Sequence, residues 1–173
     1  MKTVKLHLKV FAFFLLISVA LTSCSGDDEN GAGDGGGKMT AKIEGKDFES
    51  FAISSNAVKS SSNGGTMLFL QGTNSDGIGI TMTIMGYDGE GTYQFGPVTS
   101  NFNTASYTET NISNPMNTQV WSASYDTSSS GSVTISEETD SGVKGTFQFK
   151  GKNGNDDSIK TISGGEFDLN FKS

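Results

Sequence analysis

The chain has 173 residues, with 19 acidic residues against 12 lysines and no arginine, which gives a formal net charge of −7. Its only histidine, His7, and its only cysteine, Cys24, both lie near the N-terminus. The remainder therefore lacks the residues for disulfides, for zinc, copper or haem sites built on His or Cys, and for Ser-His-Asp nucleophilic sites. The acidic balance predicts no nucleic-acid binding, because that affinity comes mainly from Lys and Arg on phosphates.

Residues 1–23 have the three parts of a secretory signal peptide. A start with three lysines precedes an apolar run over Val10–Ala20, and Leu21–Ser23 leads to Cys24. The run is shorter than the roughly 20 apolar residues of a membrane-spanning helix. A short anchor helix or an ordinary secretory signal is the alternative.

The stretch Leu21-Thr22-Ser23-Cys24 resembles the lipobox of bacterial lipoproteins. The resemblance implies that the Cys24 thiol receives a diacylglyceryl group, that the chain is cut before it, and that the new amine is acylated. Two or more acyl chains hold a protein stably on a membrane, whereas one binds only marginally. We therefore expect the membrane as a partner, through the N-terminal lipid, and nine lysines against 19 acids in the mature chain, a formal charge of −10.

Residues 24–37 comprise the lipidated cysteine and a predicted flexible tether rich in Gly and Asp. Ser25–Gly37 contains one alanine and no larger apolar residue, so it cannot bury enough surface to fold. Thirteen residues of this composition span roughly 20 Å root-mean-square, at about 5–6 Å × √n. A tether of this length is enough to lift a domain off the lipid headgroups.

Residues 38–173 have the length of one domain, and their apolar residues recur at every second position. Such alternation gives a strand one buried and one wet face, as in antiparallel sheets. Thr66–Thr73 is apolar on both faces, which predicts a central strand or one near a sheet junction. The predicted strands are Met39–Glu44, Ala52–Val58, Thr66–Thr73, Ile78–Ile84, Thr92–Phe95, Ala105–Thr108, Val120–Tyr125, Ser132–Ser136, Val143–Lys150, Ser158–Ser163 and Glu166–Lys172.

The predicted fold class is all-β, a single antiparallel β-sandwich or barrel of about ten short strands, joined largely by up-and-down hairpins. Gly-, Asn- and Asp-rich turns such as Asn74–Gly77 separate the strands. The sequence does not distinguish a sandwich from a barrel. Val98–Thr118 is rich in Asn, Ser and Thr, and long loops on β scaffolds often carry function, so it is the first place to look for a site.

Four stretches together resemble a family of uncharacterised Bacteroidetes lipoproteins that share a domain of unknown function. They are Met39–Phe48, Gly91–Tyr93, Gly145–Phe149 and Ile162–Phe167. The resemblance covers nearly all of residues 38–173 and implies the fold and the location, but no activity. Asp27-Asp28-Glu29 also resembles the acidic surface-export signal of lipoproteins in that phylum, although an acidic, soluble linker explains it equally well.

Three aromatic residues are the ligand-binding candidates: Trp121, Tyr125 and Tyr107. Exposed aromatic rings can stack on sugars. The alternative is a core role, because Trp121, Ala123 and Tyr125 fall on one face of a predicted strand. No catalytic residue, resident metal or cofactor is predicted.

Two oxygen-rich segments are candidates for further sites. Asn153, Asn155, Asp156 and Asp157 are a weak calcium candidate, because Ca²⁺ takes oxygen ligands, but an ordinary hairpin turn explains them too. The paired acids of Glu137–Asp140 would suit glycoside hydrolysis only if they flanked a cleft about 5–10 Å apart.

These inferences predict a lipid-anchored protein of the outer membrane, either periplasmic or exposed at the cell surface, with a binding or structural role. One alternative is a carbohydrate- or ligand-binding accessory of an uptake system. The other is a carboxylate-based hydrolase, which would need two buried, converging acids.

Overall fold

The computed structural model describes residues 37–96, 102–123 and 130–172. The predicted signal peptide, Cys24, the tether up to residue 36 and Tyr125 lie outside these ranges. Short 3₁₀ turns occupy Ala52–Ser54 and Pro115–Asn117. The strands are β1 (Lys38–Ile43), β2 (Lys46–Glu49), β3 (Asn56–Ser62), β4 (Gly65–Thr73), β5 (Ile78–Met85), β6 (Gly91–Phe95), β7 (Thr104–Glu109), β8 (Gln119–Ser122), β9 (Gly131–Glu138), β10 (Gly142–Asn153) and β11 (Ile159–Asn170).

All ladders between these strands are antiparallel, and the sheet curls into a half-barrel. Its main path runs β2-β1-β11-β10-β8-β7-β5-β4-β3, and β9 with β6 branches from β10. The branch exists because most of β10 pairs with β9, whereas Lys152 and Asn153 pair with β8. A single parallel bridge joins Ala57 of β3 to Phe171, just beyond β11. The predicted all-β, antiparallel class is confirmed.

Period-2 alternation places the core on the concave face of the sheet. In β10, Val143, Phe147 and Phe149 are buried while Lys144 and Gln148 between them are exposed. The C-terminal strand follows the same rule, since Phe167 and Leu169 are buried. Full burial stabilises by roughly 1.5–3 kcal/mol per large apolar side chain, so β10 and β11 anchor the domain.

Glycines on the concave face make room for aromatic rings on neighbouring strands. Gly145 lies opposite Phe167 and Gly165 opposite Phe147 in the β10–β11 ladder. A Cβ atom at either glycine would lie 2.6 Å from a carbon of the opposing ring. The two phenylalanine rings lie 6.3 Å apart. The glycine content of these strands is therefore a packing requirement.

The structure corrects three strand predictions. The first half of the predicted strand Ala52–Val58 is a 3₁₀ turn, because β3 begins only at Asn56. The sequence missed β2, which is four residues long and buries only Phe48. Two predicted C-terminal strands form the single strand β11, which a bulge bends near Gly164, a residue with φ of 55°. No helix in the described part of the chain is long and apolar enough to cross a membrane.

Candidate functional site

Two of the three predicted aromatic residues meet on the concave face of the sheet. Tyr107 in β7 pairs directly with Trp121 in β8, and their ring centroids are 5.5 Å apart at an angle of 41°. Tyr107 is 1% and Trp121 5% exposed. Both rings are thus buried, as the core alternative predicts, and neither offers a free face for stacking. A ligand-binding role for these two residues stays a prediction, and Tyr125 lies outside the described residues.

Lys160 lies over both rings. Its Nζ is 4.0 Å from the Trp121 centroid and 5.1 Å from the Tyr107 centroid. A cation in this position is attracted to the ring faces by about 0.5–2 kcal/mol. Lys160 faces Gly151 across the β10–β11 ladder, and a Cβ at Gly151 would lie 2.9 Å from the Trp121 Cβ. The absence of a side chain at Gly151 therefore lets Lys160 and Trp121 meet above β10.

Glu109 supplies the counter-charge for Lys160. Its Oε1 accepts hydrogen bonds from Lys160 Nζ and, at 2.6 Å, from the Tyr107 hydroxyl. Burial alone would raise the pKa of Glu109, but these two bonds and the charges of Lys160 and Lys46 lower it below the ordinary value. Burial, followed by the bond to Glu109, raises the pKa of Tyr107. At neutral pH, Glu109 is ionised and Tyr107 keeps its proton.

Polar groups complete the Lys160 cluster, which we define as Tyr107, Glu109, Trp121, Ser158 and Lys160. The indole Nε1 of Trp121 donates to Ser158 Oγ at 2.9 Å. Because every polar group in the cluster has a partner, the arrangement joins β7, β8 and the start of β11 as a tight structural contact. A ligand could reach the aromatic faces only if Lys160 moved away.

The residues of the calcium candidate make the hydrogen bonds and the ion pair of a hairpin turn. Asn153 is buried, with Oδ1 accepting from the Asn155 amide at 2.8 Å and Nδ2 donating to Gln119 at 2.9 Å. Asp156 Oδ1 accepts from the Ser158 amide, and Asp157 pairs with Lys152 at 2.6 Å. Among the described residues, no three His, Cys, Asp or Glu side chains gather where they could hold a metal ion. The turn explanation accounts for the side-chain bonds of Asn153, Asp156 and Asp157, and calcium binding here stays a prediction.

Glu137 and Glu138, the adjacent acids of the hydrolysis hypothesis, point in different directions. Glu137 faces outward near Lys144, at 3.7 Å, whereas Glu138 pairs with Lys59 and accepts from the Tyr87 hydroxyl at 2.8 Å. The bond from Lys59 lowers the pKa of Glu138, and the bond from Tyr87 adds to this effect. Glu138 therefore belongs to a second Lys–Glu–Tyr contact, which connects β3 to β9, and not to a carboxylate pair flanking a cleft.

A groove on the convex face of β6, β9, β10 and β11 was not predicted. It has a volume of about 580 Å³, within the range of about 300–1,000 Å³ typical of ligand sites. A second depression continues it and shares Ser132 and Gln148 with it. The bulge near Gly164 adds a residue to β11 at this point and bends the strand. The groove is lined mainly by hydroxyl and amide side chains: Gln94, Ser130, Ser132, Gln148, Thr161 and Ser163.

The only signal for this groove in the sequence is the polar residue at every second position, such as Ser132 and Gln148. That pattern marks an outward face but does not show which strands adjoin. Gln94, Ser132 and Gln148 form one row only because β6 pairs with β9 and β9 with β10. The groove therefore depends on a cross-strand register that hydrophobic alternation does not specify.

Comparison with known proteins gives a family and no activity. Comparisons with curated proteins and with solved structures find no significant match. A family model described as a domain of unknown function (DUF6252) matches residues 39–168, from the second residue of β1 to near the end of β11. The match spans most of the chain and all eleven described strands. The chain therefore belongs to the family defined by this domain of unknown function, DUF6252.

Proposed function

We propose that this protein is a lipid-anchored component of the bacterial cell envelope whose β domain is a ligand-binding module. The anchoring rests on one observation: Leu21–Cys24 stands directly behind a basic start and an apolar run. The family match begins at residue 39, so it leaves the segment needed for a signal peptide and a tether outside the domain. We place the protein at the outer membrane, on its periplasmic or its surface-exposed side.

Replacing the lipidated residue tests the anchor. We expect Cys24→Ala to lose both incorporated fatty acid and membrane association, because the thiol is the site of acylation. The matched control is Ser25→Ala, which changes the next residue and leaves the thiol in place. The measurement is fractionation of cells grown with labelled palmitate. A Cys24→Ala protein that remains in the membrane fraction and is processed like the parent would refute the anchor.

The groove on the convex face is the observation that supports the binding role. Hydroxyl and amide groups from four strands, β6, β9, β10 and β11, line it, and such groups both donate and accept hydrogen bonds. A neutral, hydroxyl-rich ligand such as a glycan matches this lining. Among the described residues that line the 580 Å³ groove, Lys150 is the only charged one. Among the described lining residues no aromatic ring is exposed, since Phe149 is 2% exposed, and the affinity we propose comes from hydrogen bonds, each worth about 0.5–1.5 kcal/mol net.

Removing one amide tests the binding role. Gln148 faces outward near the middle of the groove, so we expect Gln148→Ala to weaken glycan binding by roughly 3–10-fold, the equivalent of one hydrogen bond. The matched control is Gln71→Ala, which removes an outward-facing amide on β4, away from the groove. The measurement is a glycan array followed by calorimetry on the ligands it identifies. Equal affinities of the two variants, or no glycan bound by the parent protein, would contradict the proposal.

A further inference from the structure

We propose that the 3₁₀ turn at Ala52–Ser54, with the residue before it, is a second contact between this protein and the lipid bilayer. The inference rests on the proposed lipid anchor. Two large apolar side chains stand out from this turn: Ile53 is 88% exposed and Phe51 is 52% exposed. The turn itself buries no residue. Its apolar surface has no partner within the described domain that would explain it.

The turn lies next to the point where the chain joins the domain. Gly37 is held against β11, since a Cβ there would lie 1.9 Å from the carbonyl oxygen of Asp168. Two residues later, the Met39 amide donates to Ser50 Oγ and the Ser50 amide donates back to the Met39 carbonyl, each at 2.9 Å. Ser50 directly precedes Phe51. The anchored segment therefore reaches the domain beside the exposed apolar side chains.

The turn presents these side chains from a fixed backbone. The Phe51 amide donates to the Thr73 carbonyl at 2.9 Å, and Ser54 Oγ donates to the same carbonyl at 2.6 Å. Ser55 Oγ donates to the Phe51 carbonyl at 2.6 Å. Ser55 is itself buried. The exposure of Phe51 and Ile53 thus follows from a turn held by hydrogen bonds to β4 and to its own backbone.

A lipid surface is the occupant that best fits this position. Twelve residues separate Cys24 from Gly37, and a tether of that length spans roughly 20 Å root-mean-square. A link this short holds the turn near the bilayer at an effective concentration on the order of millimolar. Apolar side chains insert into the boundary between headgroups and acyl chains. The net charge of −7 disfavours attraction to anionic lipids, so the contact we propose is apolar and insensitive to salt.

Ile159 offers a matched control on the same domain. It is the same residue type and is also exposed, at 52%. It lies nine residues along β11 from Asp168, which is at most about 30 Å at the rise of a strand, since the bulge near Gly164 bends β11 between them. A bilayer contact beside Gly37 would leave this position in water.

Single-cysteine labelling tests the inference in the lipidated full-length protein. Lipid blocks Cys24, so an environment-sensitive fluorophore attaches only to Ile53→Cys or to Ile159→Cys. The proteins are reconstituted into phosphatidylcholine vesicles that contain a spin-labelled phosphatidylcholine quencher. We expect quenching and a blue shift at position 53, unchanged by salt, and neither at position 159. We expect both variants to fold, because both positions are exposed, and Trp121 fluorescence checks this.

Three outcomes would overturn the inference. Equal quenching at both positions would contradict the second contact but not the lipid anchor. The same holds for a protein that floats with the vesicles but shows no quenching at position 53. A blue shift at position 53 that depends on protein density rather than on the quencher would identify a second copy of the chain as the occupant. Proteins that fail to float with the vesicles would overturn the anchor and the contact together.

Discussion

Replacing Lys160 by methionine should destabilise the domain by roughly 1–3 kcal/mol. The variant keeps most of the aliphatic stem but removes the ammonium that lies 4.0 Å from the centre of the Trp121 ring. Loss of the cation–π attraction accounts for about 0.5–2 kcal/mol. The ion pair with Glu109 adds about 0.5–1 kcal/mol, discounted because the two side chains are 23% and 41% exposed. Glu109 also loses its nearest positive charge.

Urea titration of residues 25–173, followed by fluorescence, would measure this loss. Trp121 is the only tryptophan, so its emission reports directly on the Lys160 cluster. The control is Lys42→Met, which breaks a surface pair with Asp47 and should cost about 0–1 kcal/mol. If the two variants lose the same free energy of unfolding and their emission spectra are equal, the cluster does not stabilise the fold as argued.

Two further predictions concern acid and glycine. The pKa values of Glu109 and Glu138 are lowered below 4.5 by folding, so their stabilisation is complete above that pH and is lost as the pH falls through the lowered values. Urea midpoints at pH 7 and pH 3 should show this loss, and Glu138→Gln should reduce it. Gly165→Ala should lower the free energy of unfolding by about 1–3 kcal/mol, because the new Cβ would meet the Phe147 ring. The control Gly154→Ala places its Cβ in open space and should change that free energy by less than about 0.5 kcal/mol in the same titration.

Alternation was sufficient to predict the fold class, because it depends on each strand alone. The inward positions Val143, Phe147 and Phe149 follow directly from their spacing. The bend in β11 does not follow from spacing, because the polar and glycine residues around Gly164 are typical of a turn as well as of a bulge. The segment stays one strand because β11 pairs with β1 on one side and with β10 on the other, and both ladders continue on either side of the bulge.

The site was predicted only as far as residue type allowed. Residue type alone predicts Trp121 and Tyr107 as candidates, and the structure does bring these two together. It does not predict Lys160 and Glu109, because each is an ordinary charged residue in its own segment. They meet over the rings only when β10 places the start of β11 beside β8. Contacts of this kind depend on strand order, which the sequence pattern left open between a sandwich and a barrel.

The way the concave face is filled limits where this domain can bind. Aromatic rings lie against glycines at positions such as Gly145 and Gly165, and Lys160 covers the remaining aromatic pair. In a small curled sheet, as in small barrels, the side chains that fill the concave face stabilise the fold. Recognition is then left to convex surfaces and exposed turns. On the described domain such surfaces include the groove around Gln148, for which we propose a hydrogen-bonding ligand, and the turn carrying Ile53, for which we propose lipid. The two surfaces differ in chemistry, so the proposed membrane contact and the proposed ligand site would recognise different partners.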